Sequence, residues 1–406
     1  MRAGLSSLTL RGRAFLAAGV TAIVCAVLLG QPALSRIGVL VLALPLVAAV
    51  VVRRRRHDPV VRRSVVPHLV RAGEPARVEL TVHSDRRRAD GALLVEDTLP
   101  YALGGRPRFV LQGLGRTWER TVTYPVRSDV RGAYVIGPLV LRIGDPFGLV
   151  EVRRTVPGTA DLTVTPRVLP LPPVPLAGGW QGAGEHRPQA FAAGSAEDAS
   201  VREYRRGDDL RRVHWRSSAR IGDLMVRREE QPWEARATVL LDNRRVAHRG
   251  QGLASSFESA VVAAASIVVH LEQHGYAVRL ATAAGAEADG ARDSLAHLAL
   301  VGTTDRPVLD VSWSGEQARG GVVVAVLGGR GHDDTRALRR IRHDAGAALA
   351  VVLDVEKWSQ RGTTEGDPAS SLLSLAWRAV TVGPRDRLDT AWRDLGRSPA
   401  QAGGAR

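Results

Sequence analysis

The chain has 406 residues, and 56 Lys and Arg against 41 Asp and Glu give it a formal charge of +15. At roughly 150 residues per domain the length predicts two or three domains. A content of 45% hydrophobic and 24% charged residues excludes wholesale disorder, and a mean hydropathy of −0.06 excludes a multi-spanning transporter. Cys25 is the sole cysteine, so intramolecular disulfides and cysteine-based zinc sites are excluded as well.

Ala14 to Ser35 carries no charge, and Ile37 to Val52 is a second uncharged run. At about 1.5 Å per residue each reaches across a hydrocarbon core of about 30 Å, the second marginally. Gly30-Gln31-Pro32 breaks the helix between them. Residues 1–57 therefore read as a transmembrane helical hairpin, with spans at about 14–33 and 37–53. A cleaved signal peptide fits less well, because a second apolar segment follows at once. Arg2, Arg11 and Arg13 flank one end and Arg53 to Arg56 the other, while only Arg36 lies in the turn. The positive-inside rule then predicts both termini in the cytoplasm of a membrane-anchored protein.

From 60 to 165 the hydrophobic period is two. Val78, Leu80 and Val82 alternate with polar neighbours, as do Val122, Tyr124 and Val126, and Leu139, Leu141 and Ile143. Turn signals recur every eight to fifteen residues, which predicts an antiparallel β-sandwich. Residues 166–200 are rich in Pro, Gly and Ala and read as an exposed connector. From 235 to 397 short apolar runs alternate with helical spacing: strands at 237–241, 276–281, 322–327, 348–354 and 379–382, helices at 257–273, 293–300 and 333–343. That alternation predicts an α/β domain with a parallel sheet covered on both faces. Residues 398–406 read as a disordered tail.

Residues 201–234 carry the densest pattern. Arg202, Tyr204, Gly207, Asp208, Arg211, Val213, Trp215, Ala219 and Arg220 fall within nineteen residues. Asp208 is placed to cap a helix starting near Asp209. The plainest reading packs Tyr204 and Trp215 beneath a sheet edge, with Asp208 and the arginines locking the turn. The functional reading is a docking surface for an acidic partner, with Arg205, Arg206, Arg212 and Arg216 exposed.

These nine positions resemble the bacterial "domain of unknown function 58" family. Arg131-Gly132-x-Tyr134-x-x-Gly137-Pro138 and Asp145-Pro146-Phe147-Gly148-Leu149 resemble it as well. The resemblance implies α/β plus all-β architecture, in which the last domain is a von Willebrand A-like doubly wound parallel sheet. It also implies a membrane-anchored protein working beside a MoxR-type AAA+ ATPase and envelope proteins, with no catalytic activity assigned to the family.

In a von Willebrand A-like domain the first strand ends in D-x-S-x-S, whose hard oxygens hold a divalent cation. Here the positions read Asp242-Asn243-Arg244-Arg245-Val246, so the carboxylate remains, both serines are gone, and Arg244 brings a positive charge to the cation's place. Asp354, at a later strand end, is a further candidate carboxylate. The expectation is a degenerate site with no metal and no cofactor. Ser217 and Ser218 near His214 lack a G-x-S-x-G elbow, Cys25 lies inside a span, and no Walker A, dinucleotide or H-E-x-x-H motif occurs, so no enzyme is expected.

The sequence thus points to a scaffold or adaptor at the membrane. The alternatives are a divalent-metal-dependent ligand-binding module and a basic nucleic-acid binder. Residues 1–63 hold ten arginines and one acid, so nine of the fifteen excess charges sit at the predicted membrane surface. With aromatics at 4% and no stacking motif among the arginines, nucleic acid is not an expected partner.

Overall fold

A computed structural model describes residues 7–54, 59–84, 93–112, 117–175, 201–204, 213, 215–227, 235–317, 320–331, 333–359 and 366–397. The chain divides into two compact units. One comprises Met1–Val168 with Leu295–Gly302, the other Leu169–Ser294 with Thr303–Arg406.

The first unit begins with helices α1 (Leu10–Leu29) and α2 (Pro32–Arg54), both long and apolar enough to cross a membrane. Thr9 caps α1 by accepting from the Gly12 N–H, and Gly30 ends it in the left-handed conformation (φ 64°). Pro32 then opens α2, where its missing N–H costs nothing. The helices touch through glycine. A Cβ on Gly19 would lie 2.9 Å from the Leu42 backbone nitrogen, and one on Gly38 3.0 Å from that of Ile23. Small residues that let backbones approach are how apolar helices associate where water drives nothing.

Ten strands follow: β1 (Val60–Val66), β2 (Leu69–Arg71), β3 (Pro75–Ser84), β4 (Leu93–Asp97), β5 (Arg108–Leu111), β6 (Trp118–Arg127), β7 (Gly132–Ile136), β8 (Leu139–Gly144), β9 (Glu151–Val156) and β10 (Ala160–Thr165). They form sheets β1-β3-β6, β5-β4-β8-β9 and β2-β10-β7. Pairing is antiparallel throughout except for β2 with β10, which is parallel. The period-two residues do face inward: Val78, Leu80, Val82, Leu139 and Leu141 are fully buried in one cluster. That cluster also takes in Leu8, Ala48 and Val52 from the hairpin. Inside it, Arg63 donates to both oxygens of Asp97 (3.2 and 2.6 Å), and the Tyr124 hydroxyl donates to the same carboxylate. Arg63, counted above among the membrane-flanking arginines, is a core ion pair.

In the second unit a pair of short strands, β11 (Val201–Glu203) and β12 (Met225–Arg227), brackets helix α3 (Trp215–Ile221). A six-stranded sheet follows, built from β13 (Arg236–Leu241), β14 (Ala277–Thr282), β15 (Gly285–Asp289), β16 (Val322–Leu327), β17 (Ala347–Leu353) and β18 (Arg378–Val382). Its order is β15-β14-β13-β16-β17-β18. Five strands are parallel, as their continuous apolar runs predict, and β15 adds an antiparallel edge that the sequence did not announce. Helices α4 (Ser256–Gln273) and α6 (Asp334–Asp344) fall where expected, as does α5 (Ala291–Leu300), which from Leu295 on belongs to the first unit, and α7 (Leu388–Arg397) is additional. The order reverses between β13 and β16, which sets those two strand ends side by side.

The connector differs from an exposed crossing over its first part. Leu169 donates its backbone N–H to Ser266 Oγ on α4 (2.9 Å), and the Trp392 indole N–H on α7 donates to the Pro172 carbonyl (3.1 Å). Arg378 donates twice to the Pro175 carbonyl (3.1 Å each). Prolines leave carbonyls free of ladder duties, and here those carbonyls dock an extended strap onto the α/β unit. Residues 176–200 and the tail 398–406 lie outside the described residues.

Candidate functional site

The motif segment is built around the β11–α3–β12 unit. Arg202 sits on β11 opposite Val226, and the Tyr204 N–H donates to the Leu224 carbonyl at 2.7 Å. Ser218 Oγ accepts from the Met225 N–H (2.8 Å), so this hydroxyl joins α3 to β12. Val213 and Met225 are buried and Tyr204 is half-buried. Trp215 is not packed beneath a sheet edge. Its side chain is 68% exposed, and Ala219, one helical turn on, is exposed beside it. Ile221 and Leu224 extend this apolar exposure, and Arg220 is exposed with them. Val213 and Met225, which flank this two-turn helix, take the buried positions of the segment instead. Gly207, Asp208 and Arg211, with Arg205, Arg206, Arg212 and His214, lie outside the described residues, and so does the expected helix start near Asp209.

At the carboxyl ends of β13 and β16 lies a buried ion cluster. Asp242 ends β13 fully buried, and Arg244, 2% exposed, folds back over it. Arg244 Nε donates to Asp242 Oδ1 (2.9 Å) and Nη2 to Asp242 Oδ2 (2.8 Å). Nη1 and Nη2 also donate to Asp334 Oδ1 (2.6 Å) and Oδ2 (2.9 Å), at the start of α6. Nη1 makes a further bond to the Pro307 carbonyl (3.1 Å). All five guanidinium N–H donors are therefore engaged. Burial works against the charged guanidinium, but the bonds from Asp242 and Asp334 outweigh it and raise the Arg244 pKa.

The supporting contacts hold this geometry. Asp334 Oδ2 also accepts from Gly331 N–H (2.8 Å), and Asp242 Oδ1 from Arg244 N–H (3.1 Å). His248 Nε2 lies 2.6 Å from the Asp242 carbonyl, which can only accept, so that nitrogen carries the proton; Nδ1 lies 3.1 Å from Ser256 Oγ. Burial pushes the His248 pKa down. A Cβ on Gly328 would lie 2.1 Å from the Ala247 carbonyl, so only glycine lets the β16 turn approach this close.

Sequence reasoning placed Asp242 and Arg244 here and named Asp354 as the second carboxylate. The structure brings Asp334 instead. Asp354 is buried at the end of β17, where Lys357 pairs with it at 3.0 Å. The signal for Asp334 was the Asp333-Asp334 pair opening the helix after the strand that neighbours β13. Beside the cluster a cavity of about 700 Å³ is lined by Gly329, Arg330, Asp334, Asp354 and Glu356. Among the described residues no three His, Cys, Asp or Glu side chains gather as a metal site. Asp242 and Asp334 are chemically fit for a hard cation, but their inner oxygens already hold a guanidinium.

Comparison with known proteins places the motif and the ion cluster's first half in one family span. Residues 200–294 match the family described as protein of unknown function DUF58. This DUF58 span runs from β11 through Asp242 and Arg244 to the start of α5. No curated protein matches the chain. Among solved structures, similarity is found to the CARDB domain of a Pyrococcus furiosus protein in complex with di-metal ions: 18% identity, 27% of this chain, 96% of that one, TM-score 0.20. The Pseudomonas fluorescens alkylpurine DNA glycosylase AlkC, bound to DNA containing an abasic site analog, aligns at 14% identity over 33% of this chain and 39% of that one, TM-score 0.20. At those scores neither likeness carries an argument about this chain.

Proposed function

We propose that this protein is a membrane-anchored, non-enzymatic adaptor with both termini in the cytoplasm. It docks a MoxR-type AAA+ ATPase through its motif helix, in the assembly or maturation of a cell-envelope complex. The observation that carries the docking is the exposed Trp215, set on α3 beside Ala219 and Arg220. Large exposed tryptophans beside arginine are the residue types that dominate protein contacts. Residues 201–220 hold seven arginines against three acids, which suits an acidic partner surface. The ATPase itself is named by the family resemblance.

The α/β unit fits a von Willebrand A-like domain in which Arg244 stands in the cation's place. With every guanidinium donor engaged, this site works as a lock joining β13, α6 and the 304–307 turn, and it favours the adaptor over a metal-dependent module. The tagged chain, purified in mild detergent under ATP-trapping conditions, is expected to retain the ATPase. Retention of no ATPase under those conditions would remove this reading. Calorimetry with Mg²⁺ or Mn²⁺ is expected to show no binding by the wild type; binding abolished by Asp242→Ala would restore the metal-dependent alternative.

A further inference from the structure

The Asp145-Pro146-Phe147-Gly148-Leu149 segment is left unused by the adaptor reading. It forms the turn between β8 and β9, and the structure holds it rigidly. Asp145 Oδ2 accepts from the Phe147 N–H (2.9 Å), Oδ1 from the Val150 N–H (2.6 Å), and the Gly148 N–H donates to the Asp145 carbonyl (3.1 Å). Gly148 takes the left-handed conformation at φ 68°, which glycine adopts without strain. Leu149 and Val150 are buried, whereas Phe147 is 65% exposed.

This turn is fastened to the first turn of α1. Thr9 N–H donates to the Leu149 carbonyl (3.0 Å), Thr9 Oγ1 to the Gly148 carbonyl (2.6 Å), and Glu151 N–H to the Ser7 carbonyl (2.8 Å). Leu8 and Val150 form an antiparallel bridge, and an Arg11 guanidinium nitrogen lies 3.8 Å from where a Cβ on Gly148 would stand. Thr9 precedes the charge-free run by five residues, about 8 Å along the helix. That is close to the depth of one headgroup layer. Phe147, next to Gly148, therefore stands at the level of the lipid headgroups, with Arg11 near Gly148 and Arg13 two residues further along α1 toward the apolar run.

We propose that Phe147 is an interfacial anchor that inserts into an anionic phospholipid surface, with Arg11 and Arg13 meeting the headgroup phosphates. This rests on the membrane reading of the hairpin. An exposed aromatic on a rigid turn fits this role because its ring leaves water without any ordering of the backbone. The anchor would fix the β domain's orientation over the bilayer.

The sole cysteine makes the test direct. The full chain is placed in vesicles containing phosphatidylglycerol and nitroxide-labelled at one position at a time. The positions are wild-type Cys25, then Phe147→Cys and Tyr101→Cys in a Cys25→Ala background. Tyr101 is 99% exposed, and the pairing of Leu93 with Ile143 and Asp97 with Leu139 sets it at the opposite end of its sheet from the β8–β9 turn. The label at 147 is expected to collide with O2 in preference to a water-soluble nickel chelate, at a ratio several-fold above that at 101. A ratio at 147 equal to that at 101, with Cys25 still protected, overturns the proposal and leaves the anchor reading standing. Water-like ratios at 147 and 25 alike overturn both.

Discussion

Arg244 is where a single side chain decides the character of its unit. Removing one partner of a buried ion cluster leaves uncompensated charge and costs about 3–5 kcal/mol. Arg244→Ala is therefore expected to lower the thermal midpoint of the second unit by roughly 10 °C in a melting experiment. Arg244→Lys should rescue little of this, because a point charge cannot bridge two carboxylates bidentately. Addition of Mn²⁺ should raise the midpoint of Arg244→Ala and leave that of the wild type unchanged. An equal response in both would contradict the proposal that the guanidinium stands where a cation would bind.

His270 supplies a pH dependence at the same scale. It is buried beside Trp392, with ring centroids 5.4 Å apart, and burial with the nearby His274 pushes its pKa from the ordinary 6.5 to about 4. The unfolded chain then binds this proton more readily, so stability is full above pH 6.5 and falls as pH drops toward 4. The loss amounts to roughly 3 kcal/mol at most. Melting curves between pH 7 and 4.5 should show a smaller fall for His270→Phe than for the wild type. Equal slopes would remove His270 as the source.

Among the elements, the hairpin and the β8–β9 turn depend on glycine backbones in contact. A Cβ on Gly12 would lie 2.1 Å from the Leu149 carbonyl. Gly12→Val should therefore separate α1 from the turn and raise the rate of limited proteolysis in the β domain, while a substitution at exposed Val20 should not. Much of this architecture was legible in the residues. Val78, Leu80 and Val82 show a half-buried strand by alternation, and 237–241 and 322–327 show doubly covered strands by unbroken apolar runs. What stayed hidden has physical causes. Asp334 joins Arg244 across ninety residues, a pairing that local spacing does not encode. β15 reads Gly-Ala-Glu-Ala-Asp, a poor strand by propensity, and forms because β14 offers an edge. The strap at 169–175 looks like a linker by composition, yet an acceptor on α4 and a donor on α7 fix it.

For the whole molecule, charge separates into roles. Nine of the fifteen excess charges lie within residues 1–63, and Arg63 among them is internal to the β domain. The remaining excess is small, and the motif segment contributes much of it, which supports the proposed protein partner over nucleic acid. In the proposed function Trp215 is the docking contact, and its exposure allows docking to be separated from folding. Replacing an exposed side chain costs folding within about 0.5 kcal/mol, whereas a contact hot spot costs 2 kcal/mol or more on binding, some thirtyfold in affinity. The decisive measurement compares wild type and Trp215→Ala in the ATP-trapped co-purification, with melting curves of both proteins in the same detergent. Unchanged melting and loss of the retained AAA+ ATPase from the variant are expected. Full retention by Trp215→Ala would contradict the proposed docking.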